Sequence, residues 1–459
     1  MSLIACPIAE TAKQHPDSIA ITTRHEVLSY QALHRRVCEY QMGLRQWGAT
    51  PVALYASSSI ESIACLWAML REGIPVFLPH LRYSTKALIP YFENSHVRNL
   101  LHESTASFLD EATDPWQQRT LQDIRLPSRQ TDTWLCLEQI STYLMTSGSS
   151  GKPKIATHTL SQHLYSALGV NTHLTFGPTD QWLLSLPLYH VSGLGIVFRC
   201  FFAGATLLIP TSETPLRHSI SALQPSHLSL VPHQLKQLEH IDSLTKQRIR
   251  AIILGGSGCP ETLLKQVTKK GFPVLKSYGM TEMSATITCN HQPTTSSGKI
   301  MPYRELEITE DGEIAVRGKP LFSGYLENNY LSLPLTYDGW FLTGDMGYLV
   351  EDQLYVTGRK DGMIISGGEN IHPEEIEAVL LSIPEVQRVA VIGISDPEFG
   401  QRPVAFIDPI LPQATFINVL EAQLPRYKWP VRFFGFPDTF EGKPSKYVLR
   451  EWVEAGLIR

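Results

Sequence analysis

Between residues 17 and 82 the chain alternates short β-branched runs with stretches of helical length: SIAITT, ALHRRVCEYQMGLRQWG, PVALYA, IESIACLWAMLREG and PVFLP. Strands separated by helices of about 12–15 residues pair in parallel, because a crossover helix must return the chain to the same end of the sheet. This rhythm restricts the chain to an α/β architecture. It returns in HLSLVP, RIRAIILGG and PVLKSYG, where each run ends in Gly or Pro. In parallel sheets, ligands bind to the loops that leave the carboxyl ends of the strands.

From about Glu305 the pattern changes to short alternating segments with DG and GD turns, LEITEDGEIAVRG and GWFLTGDMGYLVEDQLYVTGRKD, which predict antiparallel hairpins. After Gly358 a helix is predicted to start at Pro373, with carboxylates in its first turn, followed by the strand RVAVIGIS. The expected fold class is therefore α/β: a large, layered, multi-sheet N-terminal domain over residues 1–358 and a small, mobile α+β domain over 359–459. A length of 459 residues accommodates both.

Composition excludes several function classes. With 43% hydrophobic and 18% charged residues the chain is neither disordered nor fibrous. Lys and Arg number 39 against 44 Asp and Glu, a net charge of −5, so no basic field invites a nucleic acid. The weakly charged stretch from Trp182 to Ile209 is interrupted by Pro187, His190, three glycines and Arg199, which argues against a membrane span. The first residues show neither a basic segment nor an apolar run of useful length, and the seven cysteines include no CxxC pair. These features predict a cytoplasmic protein with reduced thiols; oligomeric state is not legible.

The strongest chemical signal is Tyr143-Leu-Met-Thr-Ser-Gly-Ser-Ser-Gly-Lys-Pro-Lys154, a strand end running into a loop rich in glycine and hydroxyls. Glycines let backbone N–H groups approach phosphate oxygens, hydroxyls add donors, and lysine supplies charge. The spacing is not that of a P-loop, because Gly148 and Gly151 are too close and Pro153 follows Lys152.

This loop resembles the phosphate loop of the adenylate-forming superfamily, which includes acyl-CoA synthetases, luciferases and peptide-synthetase adenylation domains. Further family segments follow in the family's order: Ser277-Tyr-Gly-Met-Thr-Glu282, Trp340-Phe-Leu-Thr-Gly-Asp345, Gly358-Arg-Lys-Asp361 and Ser366-Gly-Gly-Glu-Asn-Ile-His-Pro-Glu-Glu-Ile-Glu377. The resemblance implies an ATP- and Mg2+-dependent ligase acting on a small carboxylic acid, with CoA as co-substrate. Thr146, Ser147, Gly148, Ser149, Ser150, Gly151 and Lys154 would cradle phosphates, Thr281 would contact phosphate, and Glu282 would hold magnesium, a hard cation suited to carboxylate and phosphate oxygens. Tyr278 and Gly279, facing Gly255, Gly256 and Ser257, would form the adenine pocket. Asp345 would accept from the ribose hydroxyls, Arg359 would be a second contact to ribose or phosphate, and Asp361 would be the pivot of the small domain. Gly367 and Gly368 would line the approach of the CoA pantetheine. The catalytic lysine of the family falls near the C-terminus, where Lys443 is the better match by spacing to Leu449 and Lys446 is the alternative.

On the acyl side, His190 matches the family's substrate gate. Arg199 stands out because it lies in GIVFRCFFAG, a run that reads as a buried helix, and a buried guanidinium demands a carboxylate from the protein or from a substrate. The stretch from Trp182 to Arg199, together with Leu228-Ser-Leu-Val-Pro232 and the ending Leu449-Arg-Glu-Trp, resembles the bacterial o-succinylbenzoate:CoA ligases of menaquinone biosynthesis. That resemblance implies a dicarboxylic substrate whose aromatic carboxylate faces Ser192 and Arg199, with Ser229 nearby. A ligase for another aryl or medium-chain acid, or an enzyme that loads a carrier protein, remains open.

Overall fold

The computed structural model describes residues 2–457 apart from 82, 84, 104–116, 129–132, 147–153, 212–213, 257–258, 260, 293, 329, 361, 367–368 and 438–445. Two large sheets form its body. In the eight-stranded sheet, Val76–Leu78, Val52–Tyr55, Asn99–His102 and Gln117–Thr120 run parallel beside Ile140–Thr146; Lys154–Thr159, Gly324–Glu327 and Tyr330–Ser332 then extend it antiparallel. The nine-stranded sheet has a parallel centre made of Ile19–Thr22, Thr206–Leu208, Gln181–Leu183, His227–Leu230, Ala251–Leu254 and Val274–Met280. Antiparallel strands close both of its edges.

Side chains alternate across each strand, so a strand covered on both faces serves two cores. Val52, Leu54, Val76 and Leu78 enter the main core, while Ala53 and Phe77 between them face the helix Thr85–Asn94. Likewise Ala251 and Ile253 face the main core and Ile252 and Leu254 a second one. The main core is filled from the helices Tyr30–Leu44, Ile60–Arg71, Leu160–Leu174 and Val191–Phe202. At its centre Trp67 is packed edge-on against Phe198 and Phe201, with ring centroids 5.7 and 5.6 Å away.

The predicted hairpins form a third sheet, antiparallel throughout: Arg304–Ile308, Glu313–Gly318, Phe341–Val350 and Gln353–Arg359. The next strand, Ile364–Ser366, belongs to a five-stranded sheet with Glu369–Ile371, Gly400–Asp408, Arg388–Asp396 and Phe433–Gly435. The helices Pro373–Leu380 and Gln413–Gln423 cover one face of it, and Lys446–Glu454 the other. The helix predicted at Pro373 starts there, with Glu374 and Glu375 in its first turn. All seven cysteines are free and five are buried. Among the described residues no helix is long and apolar enough to cross a membrane.

Candidate active site

The strands on either side of the glycine-rich sequence pair with each other, Thr146 opposite Lys154. Ser147, Gly148, Ser149, Ser150 and Gly151 lie outside the described residues, as do Ser257, Asp361, Gly367, Gly368 and Lys443.

The strand Val274–Met280 carries the next group. It ends in a single 3-10 turn, Thr281–Met283, and the chain then reverses through Ser284 and Ala285, both at positive φ (51° and 94°). Two consecutive non-glycine residues in this region mark stored backbone strain, a property that concentrates at functional sites. Gly279 has a packing reason of its own, since a Cβ there would lie 2.0 Å from the Ala285 carbonyl oxygen. Across the sheet Gly255 and Gly256 follow the strand Ala251–Leu254; Gly256 has φ 85°, and a Cβ on Gly255 would crowd Ser277 Oγ at 2.9 Å.

Three of the expected nucleotide residues meet. Tyr278 donates its hydroxyl to Asp345 Oδ2 at 2.7 Å, and Arg359 Nη1 donates to Asp345 Oδ1 at 3.1 Å. Asp345 pairs opposite Arg359 where the strands Phe341–Val350 and Gln353–Arg359 run antiparallel. Beside them the buried Glu313 takes the Gly344 N–H on Oε1 at 2.8 Å and the Lys360 ammonium on Oε2 at 2.7 Å; Lys360 also reaches Asp311 at 2.7 Å.

Glu282 is 7% exposed, and burial raises its carboxyl above the usual range while a hydrogen bond from Tyr325 opposes that shift. The Tyr325 hydroxyl lies 2.6 Å from Glu282 Oε1, and the Lys154 ammonium sits 4.7 Å from the centre of the Tyr325 ring. The Thr281 carbonyl accepts from His158 Nε2 at 2.8 Å, which fixes that imidazole as the Nε2–H tautomer. Among the described residues no three potential ligands cluster as a metal cage. One buried carboxylate is instead the donor set that suits Mg2+ held largely by nucleotide phosphates and water.

The same turn leads toward the residues expected on the acyl side, because Thr286 follows it directly. Arg199, 2% exposed on the helix Val191–Phe202, donates from Nη2 to Thr286 Oγ1 at 3.1 Å and lies 5.1 Å from the centre of the Trp182 ring. Its Nε has no partner, and no carboxylate among the described residues pairs with it. Burial pulls its guanidinium down to about 10, which leaves it charged at neutral pH. Ser192, two helical turns earlier, shares its face of the helix. Between them Gly195 leaves room, its Cβ position lying 3.6 Å from Arg199 Nη2. Ser229 is buried in the strand His227–Leu230 with a hydroxyl that lacks a partner. His190 is exposed at the N-cap of the Arg199 helix, its ring 5.5 Å from His80 and 4.7 Å from Tyr189.

Sequence reasoning missed Tyr325, His158, Thr286 and Glu313. Each acts through a partner more than 30 residues away in the chain, so no local spacing announces it.

The family model of AMP-binding enzymes matches residues 8–326, and that of their C-terminal domain residues 375–443. The chain belongs to the AMP-binding enzyme family. Among relatives in this family, the 2-succinylbenzoate–CoA ligase of Salmonella typhimurium is 34% identical over 95% of this chain and 94% of its own length. That of Bacillus cytotoxicus is 32% identical over 95% of each. The structure of o-succinylbenzoate CoA synthetase from Bacillus subtilis in complex with ATP and magnesium ion superposes with a TM-score of 0.88 at 27% identity, covering 99% of this chain and 100% of that one. The same enzyme with its acyl-adenylate intermediate gives 0.87 at 27% identity, covering 99% of both.

Proposed function

We propose that this AMP-binding enzyme is an ATP-dependent 2-succinylbenzoate–CoA ligase serving menaquinone biosynthesis. A carboxylate is a poor electrophile, so the succinyl carboxylate attacks the α-phosphorus of ATP, expels pyrophosphate and becomes an acyl-adenylate. The CoA thiol then attacks the acyl carbon and AMP leaves.

The observation that carries the reading is Arg199. A buried guanidinium with an orphan Nε and no carboxylate partner among the described residues calls for an anion from outside. A dicarboxylic acid supplies one carboxylate for activation and one for a charge-assisted bond at this arginine. The names of the full-length relatives support that substrate.

Residues 1–358 would form the nucleotide- and acyl-binding domain and 359–459 the mobile one, pivoting at Asp361. Asp345, held by Tyr278 and Arg359, would take the ribose hydroxyls, and Thr146, Lys154 and Thr281 the phosphates. Glu282 would hold Mg2+, which supplies charge neutralisation at the phosphates. Lys443 would bridge the acyl carboxylate and α-phosphate during adenylation. Lys446 is already engaged by Glu377 at 2.7 Å and Glu374 at 3.3 Å, which supports Lys443 for that role. Ser192 and Ser229 would join Arg199 around the aromatic carboxylate, His190 would gate the entrance, and Gly367 and Gly368 would admit the pantetheine arm.

Thioester formation with ATP, Mg2+ and CoA tests this on a panel of o-succinylbenzoate, benzoate, a medium-chain fatty acid and acetate. Turnover is expected for o-succinylbenzoate, with its KM raised at least about 30-fold in Arg199→Met, the equivalent of roughly 2 kcal/mol. Equal turnover of monocarboxylic acids, indifferent to that substitution, would refute the assignment.

A further inference from the structure

Tyr325 sits on the strand Gly324–Glu327, which pairs antiparallel with Lys154–Thr159 so that Tyr325 lies opposite Ala156. Lys154 is two residues before Ala156, on the same face of its strand, and is thus the diagonal neighbour of Tyr325. That diagonal is within reach of a long side chain, and the Lys154 ammonium rests over the phenol ring at 4.7 Å, a cation–π contact. The hydroxyl end of the same ring reaches Glu282 Oε1 at 2.6 Å. The ring is braced edge-on by Phe322, centroids 4.8 Å apart at 72°.

The acid and the base are therefore attached to different parts of one aromatic side chain. They form no ion pair with each other, although opposite charges this close to a common residue would otherwise be drawn together.

We propose that Tyr325 is a positioning residue that holds the Glu282 carboxylate and the Lys154 ammonium apart, leaving between them the place for the metal-bearing phosphates of ATP. This rests on the reading of Glu282 as the magnesium carboxylate given above. The hydroxyl orients one oxygen of Glu282 and leaves the other for the cation, the way outer hydrogen bonds orient metal-ligating groups. The ring face retains Lys154 without consuming its three N–H donors, which stay available for phosphate oxygens.

Two variants separate the two contacts. Tyr325→Phe keeps the ring and removes the hydroxyl, whereas Tyr325→Leu removes both. ATP binding is followed by calorimetry across a Mg2+ titration, with AMP binding in the absence of metal measured beside it. In Tyr325→Phe the Mg2+ midpoint for ATP binding is expected to rise about tenfold, with AMP affinity unchanged. In Tyr325→Leu, ATP affinity at saturating Mg2+ is expected to fall as well, because Lys154 is freed to pair with Glu282. Retained AMP affinity shows that the nucleotide pocket is folded, and a merely structural tyrosine would not move the metal midpoint alone.

Glu282→Gln is the control for the underlying assignment. If it leaves the Mg2+ midpoint where it is, the magnesium role of Glu282 falls and this inference with it. If Glu282→Gln shifts the midpoint and Tyr325→Phe does not, the assignment stands and the role of Tyr325 is overturned.

Discussion

An arginine withdrawn from water without a counter-charge destabilises a fold, and Arg199 offsets little of that with one hydroxyl and one aromatic face. Arg199→Met should therefore hold or raise the thermal midpoint of the ligand-free enzyme while it weakens acid binding; a large loss of stability would mark the arginine as architectural. Arg199 was legible in the sequence because a single cation inside GIVFRCFFAG contradicts its surroundings. Tyr325 was not, because a tyrosine at a strand end reads as ordinary packing until the pairing with Ala156 is known. The buried histidines have a different consequence. Burial holds His158 and His227 down to about 4 and His163 well below its usual range. They are neutral in the fold but protonate in the unfolded chain near pH 6.5, so the stability they contribute is present above that pH and is lost as pH falls toward 4. For His158 this should cost roughly 2 kcal/mol by pH 5. Urea midpoints at pH 7.5 and pH 5 measure this, and equal midpoints would contradict it.

At the level of elements, the site is a set of strand ends and the turns leaving them. The hairpin from Val274 to Cys289 would serve both halves of the proposed chemistry: it carries Tyr278, bonded to Asp345, the buried Glu282, and Thr286, bonded to Arg199. That economy depends on close backbone approach at Gly279. Gly279→Ala would drive its methyl into the Ala285 carbonyl, and should cost roughly 1–3 kcal/mol or more, seen as a lowered urea midpoint together with weakened ATP binding. Wild-type behaviour in both would show that the hairpin can shift freely. The parallel strands, the hairpins after Glu305 and the helix at Pro373 were readable because hydrophobic periodicity and turn residues act locally. The left-handed pair Ser284–Ala285 was not, because neither residue favours positive φ and tertiary contacts impose it: Ser284 Oγ donates to the Pro320 carbonyl at 2.9 Å, and its own carbonyl accepts from Ser166.

Across the whole molecule, the order of family segments announced a large body and a small terminal unit, but not how the two meet. The helix Pro373–Leu380 comes up to the last strand of the third sheet at Gly358, where a Cβ would lie 2.6 Å from Glu374 Oε2 and 2.9 Å from His372 Nδ1. A glycine in the sequence cannot reveal which neighbour requires it. The segment that leaves this strand is tied back through Lys360, whose ammonium shares Glu313 with the turn at Gly344, one residue before Asp345. Trypsin needs the lysine side chain free and the backbone extended into its cleft, so the Glu313 and Asp311 carboxylates together guard the peptide bond after Lys360. The double variant Asp311→Asn, Glu313→Gln should be cut there several-fold faster than wild type, read by mass spectrometry of the early fragments; an unchanged rate would show that the two carboxylates give no protection. A protease thereby becomes a gauge of how tightly the chain is fastened beside Asp345, read from the rate of a single cut.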